Sequence, residues 1–280
     1  MKKAKIILLI LSLSIIIFTI YYFVDKENTR KRTKEAKARI EVLRENKEID
    51  EYFKNFPKYY INLDRSKDRR ENMEKEIALY DLKNIKRVKA FDGKKLTNKY
   101  CGEIDGYTYG NISKHKSRQS EIAVTMSHIK TIMQIKEEGH DYALILEDDA
   151  EFTLVPHWSK NLKQILSELP ADADMLLLAM PGRGKKLEIK REKRGPNGVA
   201  YIITPSGIKK IEKYLHNKEF NFHNYNSLVW DRKIISHLKC YNTGQALFLP
   251  FNFSFGSTND IRCDNQQYCH NSYRCLKTYD

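Results

Sequence analysis

The sequence predicts an α/β fold: a mixed, largely parallel sheet flanked by helices and preceded by an N-terminal transmembrane helix. Three observations carry this reading. Short apolar runs of strand length alternate with stretches whose apolar residues recur at helical spacing, the pattern of strands joined by crossover helices. One such run, Ala143-Leu144-Ile145-Leu146, ends abruptly in three carboxylates, Glu147, Asp148 and Asp149. A buried strand does not hold that much negative charge unless it sits at the strand end and has a partner. In an open α/β sheet, the carboxyl end of a central strand is where ligands bind. The third observation is Ile6–Val24, 19 residues without a charge. As a helix it would span roughly 28 Å, close to the hydrocarbon core of a bilayer.

Lys2, Lys3 and Lys5 precede that apolar run, and it leaves through Tyr21-Tyr22-Phe23-Val24-Asp25 with no small-x-small cleavage site. Cleaved signal peptides have apolar cores of about 7–15 residues. An uncleaved signal anchor over residues 1–25 is therefore expected, making the chain a single-pass membrane protein. Residues 26–55 are dominated by Lys, Arg and Glu, with apolar residues at sparse helical spacing (Ile40, Leu43, Ile49, Tyr52, Phe53). They read as a charged helical stem. Residues 56–250 form the globular domain, and 251–280 a tail holding Cys263, Cys269 and Cys275. Basic residues crowd positions 26–39, which favours a cytosolic domain by the positive-inside rule. The sequons Asn111-Ile112-Ser113 and Asn252-Phe253-Ser254 point the other way, so the side of the membrane stays open.

The 280 residues, 41% of them apolar, suffice for one large α/β domain plus an appendage. The composition excludes a disordered or low-complexity chain. The net charge of +14 is spread over helical segments and the juxtamembrane stretch. It fits contact with anionic lipid head groups and attraction of phosphate-bearing ligands. No nucleic-acid-binding module is recognisable, so nucleic acid is not expected as a partner. Five cysteines with no CxxC pair argue against zinc. Their odd number leaves the disulfide state open.

Along the domain, 58–63 reads as the first strand, followed by a helix over 66–80 capped by Ser66. A second strand over 85–90 closes at the turn signal Asp92-Gly93. Residues 94–118 are polar and Gly-containing and read as a long loop. Apolar spacing from Ile122 to Ile135 gives a helix over 121–138, stopped by Gly139. The strand 142–146 feeds the acidic cluster. A helix over 156–169, strands over 175–180 and 199–204, a helix over 205–215 and a last strand over 247–251 complete the domain. Residues 181–198 read as a loop.

Oxygen-only ligands at the end of 142–146 suit a hard cation such as Mg²⁺ or Mn²⁺, which often bridges a carboxylate to a diphosphate. The bland alternative is an exposed acidic turn. Four segments then line up in order: Tyr60-Ile61-Asn62-Leu63-Asp64-Arg65-Ser66 with Asp68-Arg69-Arg70; Arg87 to Gly93; Ser120-Glu121-Ile122 with Ser127-His128; and Ile145 to Asp149. Ala200 to Gly207 and Asp231 extend the series. Together they resemble glycosyltransferase family 25. The resemblance covers about residues 58–235. It departs where the family has Gly-Cys before the Ser-His pair, here Ala123-Val124, and in the tail from Asn252.

The resemblance implies a GT-A-like nucleotide-binding fold and an inverting transfer of a hexose, galactose or glucose, from a nucleotide-sugar donor such as a UDP-hexose. The acceptor would be a hydroxyl on a glycan, a lipid-linked sugar or a protein. It implies that Glu147 and Asp149 hold Mn²⁺ or Mg²⁺, with His270 as a late ligand. Donor contacts fall to Asn62, Asp64, Arg65, Arg69, Asp92, Gly93 and Asp148. For Arg65 and Arg69 the alternative is a helix-surface salt bridge with Asp68 or Glu71; for Asn62, Asp64 and Asp92-Gly93 it is an ordinary turn. His128 reads either as a site residue or as a hydrogen-bonded core histidine. Asp231 is the candidate catalytic base, or else a metal contact, a donor contact or a helix N-cap. A competing function from another class is a non-catalytic, membrane-tethered nucleotide-sugar or glycan binder.

Overall fold

The computed structural model describes residues 48–250 except 98–101, 113–116, 180–185, 193–197, 223–229 and 231–234, together with 19, 21–28, 30–31, 34–35 and 38–45. Asp231, His270 and the three tail cysteines lie outside the described residues, as does most of the expected anchor. The described residues between 19 and 43 are helical. No helix among the described residues is long and apolar enough to cross a membrane.

Seven strands form one mixed sheet. They are β1 (Lys58–Asn62), β2 (Ile85–Lys89), β5 (Ala143–Glu147), β7 (Met175–Leu177), β8 (Lys190–Arg191), β9 (Ala200–Ile203) and β12 (Cys240–Asn242), in the spatial order β2-β1-β5-β9-β7-β12-β8. The pairings β1 with β2, β1 with β5 and β7 with β12 are parallel. β9 lies antiparallel between β5 and β7, and β8 runs antiparallel at the edge. The sheet is mixed, as expected, with three parallel and three antiparallel pairings among its seven strands.

The inner strands β5, β7 and β9 are apolar almost throughout because both faces are covered, while the edge strands β2 and β8 carry Lys and Arg. Side chains of odd and even parity part into two cores. Tyr59, Ile61, Ala143, Ile145, Tyr201 and Ile203 meet α3 (Gln119–Glu137) and α5 (Pro205–Ile211). Tyr60, Leu144, Leu146, Ala200 and Ile202 meet α1 (Glu51–Asn55), α2 (Lys67–Leu79) and α4 (Leu162–Ser167). α3 forms because Ile122, Met126, Ile129, Met133 and Ile135 recur on its buried face, and it stops at Gly139 with φ 75°. The same parity sends Glu147 toward α3 and, one residue on, Asp148 toward α2.

Several expectations are corrected. The stretch 94–118 is not wholly loop. It contains a hairpin of β3 (Gly102–Ile104) and β4 (Tyr107–Tyr109), turned by Asp105 and Gly106 at φ 50° and 77°. Both turn residues having positive φ is what an Asp-Gly hairpin turn requires. The hairpin joins β10 (Leu215–His216) and β11 (Glu219–Phe220) in a small second sheet. The helix expected over 156–169 begins only at Leu162, where Asn161 caps it and Gln164 returns the capping bond. Ser66 makes no side-chain cap for α2; its carbonyl accepts Asn62 Nδ2–H instead. Strand β12 was missed. The last strand is reduced to β13 (Leu249–Pro250), paired with β6 (Ala150–Glu151). The buried set also begins upstream of residue 56, with Ile40, Leu43, Ile49 and Phe53.

The Thr204-Pro205-Ser206-Gly207 segment has a structural explanation. Thr204 Oγ1 accepts the Gly207 N–H at 3.2 Å, capping α5, and Pro205 occupies its first position. A Cβ on Gly207 would sit 2.1 Å from the Asp174 carbonyl oxygen. Gly207→Ala should therefore lower stability by about 1–3 kcal/mol, the usual range for overpacking. Urea unfolding measures it; an unchanged midpoint would refute the close approach.

Candidate active site

The carboxyl ends of β1, β2 and β5 surround a cavity of about 330 Å³. Ile61 and Leu63 supply one wall, and Ala90 to Lys94 another. Arg118, Gln119 and Ser120, at the start of α3, close the third side; Glu147 and Asp148 form the floor with Arg69, and Arg65 lines the side held by Asp92. Gly93 permits this closure, because a Cβ there would lie 2.7 Å from Ser120 Cα. The β2 loop is thereby pressed against the first turn of a 19-residue helix. The partial positive charge of that helix end faces the cavity. Asp92 accepts Lys94 N–H at 3.0 Å and Arg65 Nε–H at 2.8 Å. Burial works to raise its pKa, but these two donors prevail and hold it below the ordinary aspartate value.

Asp148 is braced from two sides. Asn62 Nδ2 donates to its Oδ2 at 2.7 Å, and Arg69 Nη1 to its Oδ1 at 2.5 Å. Arg69 Nη2 also stands 3.5 Å from Asp149 Oδ2. Asn62 is itself fixed, since Arg87 Nε–H donates to its Oδ1 at 3.0 Å. Arg87 Nη2 continues to Asp64 at 2.6 Å, and Lys89 Nζ lies 3.2 Å from the same carboxylate. The Arg87 hydrogen bond is the main reason that Asp64 is held below its ordinary pKa.

Glu147 faces His128, whose Nε2 stands 3.4 Å from Glu147 Oε1. Tyr201 OH lies 2.8 Å from His128 Nδ1, and the indole of Trp230 stacks on the imidazole at 4.6 Å. Burial first, and then neighbouring carboxylates, push both Glu147 and Asp149 up from their ordinary values. The Glu147 side chain keeps 32% of its exposure, and that of Asp149 keeps 13%. Asp149 Oδ1 is buried and has no hydrogen-bond partner among the described residues. No three His, Cys, Asp or Glu side chains among the described residues form a ready cation site. The donor chemistry nonetheless fits a hard cation. Three carboxylates, Glu147, Asp148 and Asp149, crowd around one guanidinium that contacts two of them, and Asp149 presents an oxygen that no described residue satisfies.

Residues 55–227, more than half of the chain, match the family model of glycosyltransferase family 25, described as an LPS biosynthesis protein. The chain belongs to glycosyltransferase family 25. A relative from Acanthamoeba polyphaga mimivirus, named as a glycosyltransferase, is 29% identical over 136 residues. That match takes in 47% of this chain and 40% of the viral protein, so the chain spans less than half of its length. A solved nucleoside-diphosphate-sugar pyrophosphorylase from Vibrio cholerae RC9 is 11% identical, covering 68% of this chain and 73% of its own, with a TM-score of 0.29. At that score the likeness carries no argument.

The family 25 motif residues do converge, in two tiers. Arg65, Arg69, Asp92, Gly93, Glu147 and Asp148 line the cavity. Asn62 does not; it is 1% exposed with its polar atoms engaged, so it supports Asp148 instead of meeting a ligand. Asp64 turns to Arg87 and Lys89 and is likewise off the lining. Arg69 bonds neither Asp68 nor Glu71 but reaches into the interior. His128 is both a hydrogen-bonded core residue and part of the wall. Arg118 and Gln119 were not anticipated, and Ser120 stood out only as part of the Ser120-Glu121-Ile122 motif. A helix start placed beside a strand-end acidic cluster was the available signal. Asp231 and His270 lie outside the described residues.

Glu151 is buried behind the turn and is not on the cavity lining. Burial above all, and then the Glu76 charge, push its pKa up to about 8, from 4.5. Between those values the folded chain binds more protons than the unfolded one, so this group's contribution to stability falls as pH rises through the window. Glu151→Gln removes that penalty. Its melting temperature relative to the parent chain should rise from pH 5 to pH 8; a gap independent of pH would contradict the assignment.

Proposed function

We propose that the chain transfers a hexose from a nucleoside-diphosphate-sugar donor to a hydroxyl acceptor, with inversion and with the help of Mn²⁺ or Mg²⁺. The observation that carries this is the single cavity in which Arg65, Lys94, Arg118 and the start of α3 face Glu147 and Asp148. The cationic side suits a diphosphate. The carboxylate side suits a cation and a sugar. Family membership supports the same reading.

In the proposed reaction the acceptor oxygen bonds to the anomeric carbon while the bond from that carbon to the diphosphate oxygen breaks. The electron pair departs on the diphosphate, and the acceptor proton passes to a carboxylate. Arg65 and Lys94 would hold the diphosphate, and the first-turn amides of α3 would face its developing charge. Glu147 and Asp149, with His270 as a further ligand, would hold the divalent ion, which when bound supplies Lewis-acid stabilisation of the leaving group. Asp148, braced by Asn62 and Arg69, would orient the donor. Asp231 is proposed as the base. Membrane attachment through residues 6–24 and a glycan, lipid-linked or protein acceptor belong to the same proposal.

The test is a screen of the full chain against nucleotide sugars, with Mn²⁺, Mg²⁺ or excess chelator. One donor should be turned over, and chelator should abolish its turnover. Arg65→Gln should lower kcat/KM roughly tenfold, as for loss of one charge-assisted hydrogen bond. Asp231→Asn should keep donor binding while turnover falls roughly 10²–10⁴-fold. Donor binding without transfer by the unaltered chain would favour a non-catalytic binder. Full turnover in chelator would overturn the metal assignment.

A further inference from the structure

Behind the acidic turn lies a second set of buried ionic groups that the cavity does not use. Glu76, two turns beyond Arg69 on α2, is 3% exposed, and Glu151, on β6, is 2% exposed. Glu76 accepts the Phe152 N–H at 3.2 Å. The cation facing both carboxylates is Arg44. Its Nη2 lies 2.8 Å from Glu76 and 4.0 Å from Glu151, and its Nε–H donates to Thr153 Oγ1 at 3.3 Å. The Tyr80 hydroxyl is buried with no partner among the described residues. Two buried ionic groups away from the cavity are saturated in place. Lys58 Nζ donates to three carbonyls, and Asp174 receives Ser206, Lys210 and the Lys239 N–H.

Arg44 lies upstream of the residues that match the family model, which begin at 55. Its segment is nonetheless docked on the domain. Ile40 and Leu43 are buried, and His157 Nε2 donates to the Leu43 carbonyl at 3.0 Å. α2 carries Arg69 on the cavity side and Glu76 behind. The strand after the acidic turn carries Glu151 and leads to Thr153. A guanidinium forked between Glu76 and Thr153 therefore ties together the two elements whose spacing sets the Arg69–Asp148–Asp149 geometry.

We propose that Arg44 is a positioning residue for the acidic turn, so that the segment upstream of the family domain is a working part of the site and not a spacer. Without Arg44, the buried Glu76 would lose its cationic partner and Thr153 its donor, and nothing would fork between α2 and the strand after the acidic turn.

Hydrogen exchange on the full chain tests this independently of any activity. In Arg44→Gln, amides across 147–153 should exchange faster by roughly tenfold, while those of β9 and α3 stay protected. Added ethylguanidinium should restore the protection. Arg44→Lys keeps the charge but not the fork, and should show a smaller increase in the same amides. If Arg44→Gln does not fold, Arg44→Lys decides. Parental exchange over 147–153, or changes confined to 38–45 and insensitive to ethylguanidinium, would overturn the proposal.

Discussion

Arg69 enters the interior from the first turn of α2 with its side chain 8% exposed, and meets Asp148 at 2.5 Å and Asp149 at 3.5 Å. The cavity geometry depends on this contact. It fixes α2 to the end of β5, and Asn62 completes the brace from β1. A buried ion pair of this kind contributes little net stability, because desolvation offsets the attraction. Removing one partner, however, strands the other and costs about 3–5 kcal/mol. Its effect is to hold one arrangement of the strand ends. Arg87 extends the brace to β2 through Asn62 and Asp64. Three adjacent parallel strands are thus locked at the ends where they meet the cavity.

The same brace leaves negative charge unsatisfied. Arg69 meets Asp148 at 2.5 Å and Asp149 only at 3.5 Å, while Glu147 stands beside the His128 imidazole without a contact to Arg69. Burial accordingly raises Glu147 and Asp149 toward protonation. A site that must hold excess carboxylate at the end of a buried strand is poised for a cation. Opposite, Arg65 and Lys94 lean over the cavity from the β1 and β2 loops. That polarity, anionic floor against cationic wall, is what a sugar diphosphate with a bound ion would complement.

Much of this was legible in the sequence. The run Ala143–Leu146 with its acidic end gave both a central strand and the site, since only a strand terminus tolerates those residues. Strand parity adds to this: in β1, Tyr59 and Ile61 enter one core and Tyr60 the other. Followed through β5, it assigns Glu147 to the α3 side and Asp148 to the α2 side. Other elements were hidden for physical reasons. β9 has the apolar content of any buried strand, and its antiparallel direction is a tertiary property. Cys240–Asn242 is too short to show a period, and its pairing with β7 gives it away only in three dimensions. The Asp105-Gly106 hairpin was readable, because that dipeptide marks a tight turn, but the polar surroundings masked it. Asn62 and Asp64, expected as donor contacts, stand off the cavity lining. What the residue types alone could not show is that their polar atoms are used to hold Asp148 and Arg87.

A crystal structure of the full chain with a nucleoside diphosphate and Mn²⁺ tests the central claim most directly. The account predicts a diphosphate between Arg65, Lys94 and the start of α3, with an anomalous manganese peak beside Glu147 and Asp149 and the Asn62–Asp148–Arg69 brace intact. Nucleotide bound elsewhere on the domain, or manganese away from those carboxylates, would contradict it.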